Sequence, residues 1–299
     1  MSVFVVTQMS ISDQPEQLIK PSCTSQYTRL LTIAGSDSGG GAGIQADLKT
    51  FAALGCFGMS AITALTAQNT CGVRAIHGVP LDVLRAQIDA VVEDIGVDAV
   101  KIGMLHSPEV VNVVSSAIDR HALVHVVLDP VMVATSGAVL IDGPAADALV
   151  RELFAKAAVI TPNLDEAALL VGRALTSEAD MQAAAQELVD KGARAVLLKG
   201  GHLAGDVVSD LLQIAGAKPY WMRARRIVTP NTHGTGCTLS SAIAVHLALG
   251  FSLIEAVQAA RMYVREALTA GAAVKTGQGS GPLNHTFAPQ AMQLKPLPS

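Results

Sequence analysis

Residues 232–238 read Thr232-His233-Gly234-Thr235-Gly236-Cys237-Thr238 and join an extended stretch ending near Pro230 to an apolar segment, 239–249, predicted to be helical. The two glycines permit backbone conformations that a Cβ disfavours, so the amides of 234–237 can converge at the helix start. The first N–H groups of a helix lack intrahelical partners and carry partial positive charge, which suits a phosphate or a developing oxyanion. The stretch therefore predicts an anion-binding loop; the simpler alternative is a glycine-rich turn, capped by Thr, that enters a core helix.

Cys237 lies in the same predicted positive field. Such a field lowers the pKa of a thiol and favours the thiolate. We therefore expect Cys237 to be a side chain that can be activated next to the anion-binding loop.

Composition excludes several classes of protein. The chain has 299 residues, half of them hydrophobic, with a formal net charge of -4, so it can bury a large core and has no general electrostatic reason to bind nucleic acid. No uncharged apolar run reaches transmembrane length, and residues 1–6 lack the basic start and the length of a signal peptide. Four cysteines without C-x-x-C spacing suggest reduced thiols, so we expect a cytoplasmic protein.

The chain is predicted to form one α/β domain, 29–299, behind a polar, aperiodic and mobile tail, 1–28. Short apolar runs alternate with amphipathic segments, which indicates a mainly parallel sheet covered by helices on both faces, a three-layer α/β/α fold. Strands are predicted at 30–34, 60–67, 99–102, 124–128, 159–161 and 195–198, and helices at 44–54, 81–95, 108–120, 145–155, 164–171, 178–191, 239–249 and 253–269. Two further stretches, 73–79 and 207–228, look like extra strands that form a lid or a subunit contact.

Polar or glycine-rich loops follow the predicted strands, at the sheet edge where parallel α/β proteins bind ligands. These loops are 35–43, 68–70, 103–104, 129–132, 161–166 and 199–202. Turn chemistry alone does not require the Gln, Met and Lys residues found there. A dinucleotide-binding loop is disfavoured because no acid follows about 20 residues after Gly41-x-Gly43, and a Walker A loop is excluded by the absence of any Gly-Lys pair.

The ordered set of motifs resembles the hydroxymethylpyrimidine/phosphomethylpyrimidine kinases of thiamine biosynthesis, which have a ribokinase-like fold. The resemblance runs from about residue 30 to residue 285. It rests on 34–47 (AGSDSGGGAGIQAD), 66–70 (TAQNT), 101–104 (KIGM), 128–132 (LDPVM), 161–166 (TPNLDE), 199–202 (KGGH), 231–238 (NTHGTGCT) and 281–285 (GPLNH). One departure is Asn231, where many relatives carry an acid, and this weakens any metal-related role at that position.

The resemblance implies two ATP-dependent steps at one site. The first phosphorylates 4-amino-5-hydroxymethyl-2-methylpyrimidine, and the second converts the monophosphate to the diphosphate. It implies that Gln68 and Asp47 hydrogen-bond the aminopyrimidine, an edge that shows both donors and acceptors. Gly35, Met104, Val131 and the backbone of Thr66 would line the same pocket.

The resemblance also assigns the phosphate end of the site. Lys199 and Asn163 would lie on the nucleotide side, and Asp129 and Glu166 would organise Mg²⁺ as oxygen ligands acting through water. The amides of Gly234, Thr235, Gly236 and Cys237 would stabilise the transferred phosphoryl group. Cys237 takes the place of the Asp base of most sugar kinases of this fold, so it becomes the candidate base.

Three alternatives stay open on the sequence. A pyridoxal kinase of the same fold also phosphorylates a flat heterocycle with a hydroxymethyl arm, and Gln68 favours the aminopyrimidine over it. A sugar kinase is disfavoured by Cys237, and a ligand-binding protein without turnover by the retained Asp129 and Glu166. The family also implies a homodimer.

Overall fold

The computed structural model describes residues 23–132, 141 and 143–297. Within this part of the chain the helices are α1 (Gly43–Ala53), α2 (Leu81–Asp94), α3 (Pro108–Arg120), α4 (Gly143–Leu153), α5 (Leu164–Val171), α6 (Glu178–Asp190), α7 (Thr235–Ala248) and α8 (Leu253–Gly271). The strands are β1 (Ser25–Tyr27), β2 (Arg29–Asp37), β3 (Phe57–Asn69), β4 (Gly72–Gly78), β5 (Ala99–Ile102), β6 (Val126–Leu128), β7 (Val159–Ile160), β8 (Ala195–Leu198), β9 (Val207–Ile214), β10 (Tyr220–Arg225) and β11 (Leu294–Pro296).

Nine strands form one central sheet in the order β10-β9-β8-β7-β6-β5-β2-β3-β4. The six strands from β8 to β3 are mutually parallel, whereas β4 at one edge and β9 and β10 at the other pair antiparallel. The predicted α/β fold with a mainly parallel sheet is therefore confirmed. The two stretches set apart as extra strands are β4 and the β9–β10 pair.

Helices cover both faces of the sheet because alternate residues of each buried strand point to opposite sides. Leu31, Ile33, Val100 and Ile102 pack in the cluster that contains α2, α3, α4 and α6. Leu30 and Ala99, their neighbours along the same strands, pack in the cluster formed with α1, α7 and α8. The result is the predicted three-layer α/β/α architecture.

Several predicted boundaries differ from the structure. Helix α7 begins at Thr235, four residues before the predicted start. Its first residues include glycine and threonine, which are weak helix formers, so the sequence did not predict them as helical. Strand β3 spans 13 residues, since its end pairs with β4 beyond the parallel part of the sheet.

The predicted tail overlaps the structured part of the chain. Its residues 25–27 form β1, which pairs antiparallel with β11 in a separate two-stranded sheet, so the predicted mobile tail extends too far. Residues 1–22 of that tail lie outside the described residues. Among the helices that the structure describes, none combines the length and the apolar character needed to cross a membrane.

Candidate active site

A cavity of about 600 Å³ opens at the carboxyl ends of the parallel strands. All of the predicted site residues except Asp47 line it: Gly35, Thr66, Gln68, Met104, Asp129, Val131, Asn163, Glu166, Lys199, Gly234, Thr235, Gly236 and Cys237. They come from loops that are far apart in sequence and meet because parallel strands all end at this edge. The roles assigned to them in the sequence analysis stay predictions.

The start of α7 forms one wall of the cavity. Gly234 is its N-cap residue, with φ of 83°, and a Cβ on it would lie 1.8 Å from the carbonyl oxygen of Gly41. Only glycine fits this close approach between two loops. The Thr235 N–H donates to the carbonyl oxygen of Thr232 at 3.2 Å, but no side chain caps α7, so the amides of Gly236 and Cys237 are the ones suited to bind an anion.

The expectation of a lowered pKa at Cys237 is wrong for this structure. Burial raises the pKa of the Cys237 thiol to about 11, and the nearby carboxylates of Asp47 and Asp129 raise it further. The ammonium of Lys101 and the backbone N–H of Gly43 act in the opposite direction but do not offset burial. The thiol is therefore protonated at neutral pH, since desolvation of the charged form outweighs the field of the helix.

Asp129 and Lys199 form an ion pair on the cavity wall. One Asp129 carboxylate oxygen accepts hydrogen bonds from the Lys199 ammonium at 2.9 Å and from the Thr161 hydroxyl at 2.8 Å. Burial alone would raise the pKa of Asp129, but the Lys199 and Lys101 ammonium groups outweigh it and the pKa is lowered. A Cβ on Gly236 would lie 3.1 Å from Lys199 Nζ, so the backbone of α7 approaches this cation closely.

Glu166 and Asn163 lie together because they cap α5. The Glu166 carboxylate accepts the backbone N–H of Asn163 at 2.7 Å, and the Asn163 side chain accepts the N–H of Glu166 at 2.9 Å. Glu166 lies 3.9 Å from Lys199 Nζ. Burial, together with the charge of Asp129, raises the pKa of Glu166 to about 7, although Lys199 lowers it. The capping box therefore aims a carboxylate at the Asp129–Lys199 pair.

Asp47 lies behind the cavity rather than on its surface. Its carboxylate is 0% exposed and accepts hydrogen bonds from Thr32 at 2.6 Å, Lys101 at 2.9 Å and Ser241 at 2.7 Å. Burial alone would lower the pKa of Lys101, but the charge of Asp47 outweighs it and the pKa is raised. Because the Asp47 carboxylate is fully buried, it does not reach the cavity surface; it holds Lys101, which lines the cavity.

A second network, which the sequence analysis did not assign, joins two loops of the site. The Asp37 carboxylate accepts the backbone N–H groups of Gly39, Gly41 and Ala42, and it lies 2.9 Å from His233 Nε2. Burial would raise the pKa of Asp37, but the hydrogen bond with His233 and those of the backbone lower it. His233 Nε2 is in turn 3.4 Å from the side-chain nitrogen of Gln68.

Sequence reasoning missed a further part of the cavity and one buried lysine. The lobe lined by Arg226, Ile227, Arg261, Val264 and Leu268 comes from segments without a recognisable motif. Lys101 carried a usable signal, because a lysine inside the buried strand Ala-Val-Lys-Ile needs an ionic partner.

The fold and this cavity define a small-molecule kinase of the ribokinase-like class. The family described as phosphomethylpyrimidine kinase matches residues 37–284, and the chain belongs to that family. It is 52% identical over 256 residues to a hydroxymethylpyrimidine/phosphomethylpyrimidine kinase of Rhizobium meliloti, covering 85% of this chain and 96% of the relative.

Solved structures agree with this family. A phosphomethylpyrimidine kinase from Clostridium difficile superposes with a TM-score of 0.71 at 43% identity, covering 80% of this chain and 99% of the other. A pyridoxal kinase from Staphylococcus aureus, in complex with AMP-PCP and pyridoxal, superposes with a TM-score of 0.81 at 34% identity, covering 91% of this chain and 100% of the other.

Proposed function

We propose that the protein transfers the γ-phosphoryl group of ATP first to 4-amino-5-hydroxymethyl-2-methylpyrimidine and then to the resulting monophosphate. The observation that carries this proposal is the meeting of three features in one cavity. The uncapped start of α7 faces the Lys199–Asp129 pair, and the polar edge of Gln68 and Thr66 lies in the same space.

The substrate would bind between β2, β3 and β5. Gly35 keeps this end of the cavity open for a flat ring, since a Cβ there would lie 2.7 Å from the Met104 methyl group. Met104 and Val131 supply apolar surface, and Gln68 and Thr66 supply hydrogen-bonding groups. Asp47 would act through Lys101 rather than by touching the ring.

ATP would occupy the other end of the cavity. Ile227, Val264 and Leu268 offer apolar surface for a base, and Lys199 lies close to the backbone of Gly236 in the first turn of α7. Asn163 would contribute through the N-terminal end of α5, because its side-chain oxygen is already used as a helix cap. Arg226 fixes the loop around the lobe by donating to the carbonyl oxygens of Gly201, Leu203 and Gly205.

The donor set fits a magnesium ion. Asp129 and Glu166 are buried carboxylates close to one ammonium, and oxygen ligands are those that Mg²⁺ prefers. Burial raises the pKa of Glu166 to about 7 and the charge of Asp129 adds to this, so a cation placed between the two would favour the charged carboxylates. When bound, such an ion neutralises charge on the phosphates of the nucleotide.

Phosphoryl transfer depends mostly on positioning and on stabilising charge. Lys199, held by Asp129, would neutralise charge on the transferred group, and the first amides of α7 would donate hydrogen bonds to its oxygens. Cys237 lies beside these amides and would receive the proton of the attacking hydroxyl. Because burial keeps the thiol protonated in the free protein, this role requires its pKa to fall when the substrate binds.

We also propose a cytoplasmic homodimer that acts on small molecules. The hairpin of β3 and β4 exposes apolar side chains on both faces, Leu65 at 48% and Ile76 at 45%. A second copy of the chain could cover this projecting arm.

Pyridoxal is the second candidate substrate, supported by the overlap with a solved pyridoxal kinase. ATP-dependent phosphorylation of the hydroxymethylpyrimidine and of pyridoxal, assayed in parallel with products resolved by mass, separates the two. We expect a pyrimidine diphosphate. Pyridoxal phosphate as the sole product would replace the proposed function with the second candidate.

A further inference from the structure

His233 lies between Asp37 and Gln68, and the hydrogen bonds of these three side chains determine which atoms of the Gln68 amide face a ligand. Its Nε2 lies 2.9 Å from an Asp37 carboxylate oxygen and 3.4 Å from the amide nitrogen of Gln68. The other end of the Gln68 amide lies 3.1 Å from the Thr66 hydroxyl. Gln68 lies near the end of β3 and His233 lies 165 residues further along the chain, yet both line the cavity.

The protons in this network can be assigned from its acceptors. Three backbone N–H groups already point at Asp37, so it is a carboxylate and can only accept. His233 Nε2 therefore carries a hydrogen and cannot accept one from Gln68. The Thr66 hydroxyl donates its only hydrogen to the carbonyl oxygen of Ser36 at 2.8 Å, so it can only accept from Gln68.

Both constraints select the same orientation of the amide, with its oxygen and nitrogen exchanged relative to the placement given above. The two ends of a glutamine amide have nearly the same shape, so the surrounding hydrogen bonds decide which end faces which neighbour. The Gln68 oxygen must face His233 Nε2–H, which it shares with Asp37, and the Gln68 NH₂ must face the Thr66 oxygen. One N–H and one oxygen lone pair then remain for a ligand.

We propose that His233, hydrogen-bonded to Asp37, is a positioning residue. It fixes the orientation of the Gln68 amide, which thereby selects a ring with adjacent acceptor and donor groups. An aminopyrimidine has this edge, because a ring nitrogen accepts and the neighbouring amino group donates. Pyridoxal presents oxygen substituents instead. The inference rests on the proposed function, since it assigns the selectivity of that same site.

The inference also couples the two halves of the reaction site. His233 directly precedes Gly234, the N-cap of α7, and its backbone N–H is held by the carbonyl oxygen of Gly281. His233, which orients the Gln68 amide that binds the ring, is therefore attached to the first turn of α7, which binds the phosphoryl group. A substrate seated correctly on Gln68 is aligned with that turn.

The test compares His233→Met with His233→Gln. Methionine has a similar length but no donor, whereas the glutamine amide can place an N–H near the position of Nε2. We expect His233→Met to raise KM for the hydroxymethylpyrimidine and to lower its kcat/KM relative to that of pyridoxal by about tenfold, the effect of one buried hydrogen bond. His233→Gln should recover most of this selectivity. The matched control is His246→Met near the other end of α7, which should keep the wild-type ratio.

A second readout does not depend on turnover. In ¹⁵N-labelled protein, the two side-chain N–H signals of Gln68, identified by their loss in Gln68→Leu, should be shifted from those of exposed glutamines. They should collapse towards those values in His233→Met. Unshifted Gln68 signals in the wild type, or equal kcat losses in both His233 variants with unchanged KM and selectivity, would overturn the inference. A wild-type protein inactive on both substrates would instead reject the proposed function, and the Gln68 signals would still decide whether His233 holds the amide.

Discussion

At the scale of single residues, the proposed base role of Cys237 predicts different effects on the two phosphoryl transfers. The hydroxymethyl acceptor of the first step must lose a proton, whereas the phosphate acceptor of the second step is already an anion. We expect Cys237→Ala to lower the rate of the first step by about 10²-fold, the lower range of general-base effects, and the second step much less. Initial rates measured separately with the hydroxymethylpyrimidine and its monophosphate check this. An equal loss in both steps would remove the base role and leave Cys237 as a positional residue.

The protonation state of the same thiol gives a pH prediction. Burial raises the pKa of Cys237 to about 11 and that of Cys56 to about 12, whereas Cys23 and Cys71 are exposed. Only thiolates react with iodoacetamide, so at pH 8 the ligand-free protein should be alkylated at Cys23 and Cys71 first. Cys237 should react appreciably only as the pH rises towards 11. Mass spectrometry of digested peptides checks the order, and rapid labelling of Cys237 at pH 8 would contradict it.

At the scale of elements, Asn231 ties the loop before α7 to the end of α8. Its side-chain NH₂ donates to the carbonyl oxygens of Gly271 at 2.7 Å and Val274 at 2.6 Å. A carboxylate cannot donate, so Asn231→Asp would face two carbonyl oxygens with a buried negative charge. We expect the free energy of unfolding at pH 7 to fall by about 2–3 kcal/mol, measured by urea denaturation. Asn112→Asp, on an exposed position of α3, is the control and should change it little; equal stability of the two variants would refute the role of Asn231.

The glycine-rich segment 277–281, the strap, contacts the tip of the hairpin formed by β3 and β4. The Thr70 hydroxyl accepts the backbone N–H groups of Gln278 and Gly279, and a Cβ on Gly279 would lie 2.0 Å from the Thr70 carbonyl oxygen. Gly279→Ala should push the strap away from the hairpin that carries Gln68.

We expect Gly279→Ala to raise KM for the aminopyrimidine severalfold and to cost about 1–3 kcal/mol of stability, as overpacking does. Steady-state kinetics and thermal unfolding measure the two effects. Gly143→Ala is the matched control, because nothing lies within 4 Å of a Cβ there. Wild-type KM in Gly279→Ala would show that the strap does not position Gln68.

At the scale of the whole molecule, the sequence predicted the architecture better than the contacts within the site. Continuous apolar runs such as the Ala-Val-Leu-Leu of β8 predicted the parallel sheet, and the order of the polar loops predicted that their residues lie at one edge. It could not show that Asp47 turns away from the cavity towards Lys101, because that depends on which face of α1 is buried against β2 and β5. The pKa of Cys237 was predicted with the wrong sign, since burial, which opposes the field of the helix, is a property of the packed chain.

The arm formed by β3 and β4 gives a prediction about assembly. Residues 67–69 of β3 pair only with β4. In the same antiparallel pair, Leu65 lies opposite His77 and Ile76 lies opposite Thr66. Adjacent residues of a strand point to opposite faces, so Leu65 and Ile76 lie on opposite faces of the hairpin. Leu65 and Ile76 lie where β3 still pairs with β2, and they expose apolar surface on both faces of this sheet edge, so a second copy should cover it.

Replacing both apolar side chains of this arm should therefore separate the copies. We expect the wild type to sediment at twice the chain mass of 30.8 kDa and the double variant Leu65→Lys/Ile76→Lys to sediment at that single mass, measured by analytical ultracentrifugation over a range of concentrations. Val124→Lys places the same charge on a side of the molecule where the valine is 56% exposed, and it should leave the mass unchanged. A double variant that stays dimeric would move the interface away from the arm. A wild type that sediments as a single chain at every concentration would mean that the arm is stable without a partner, held by the strap at Thr70 alone.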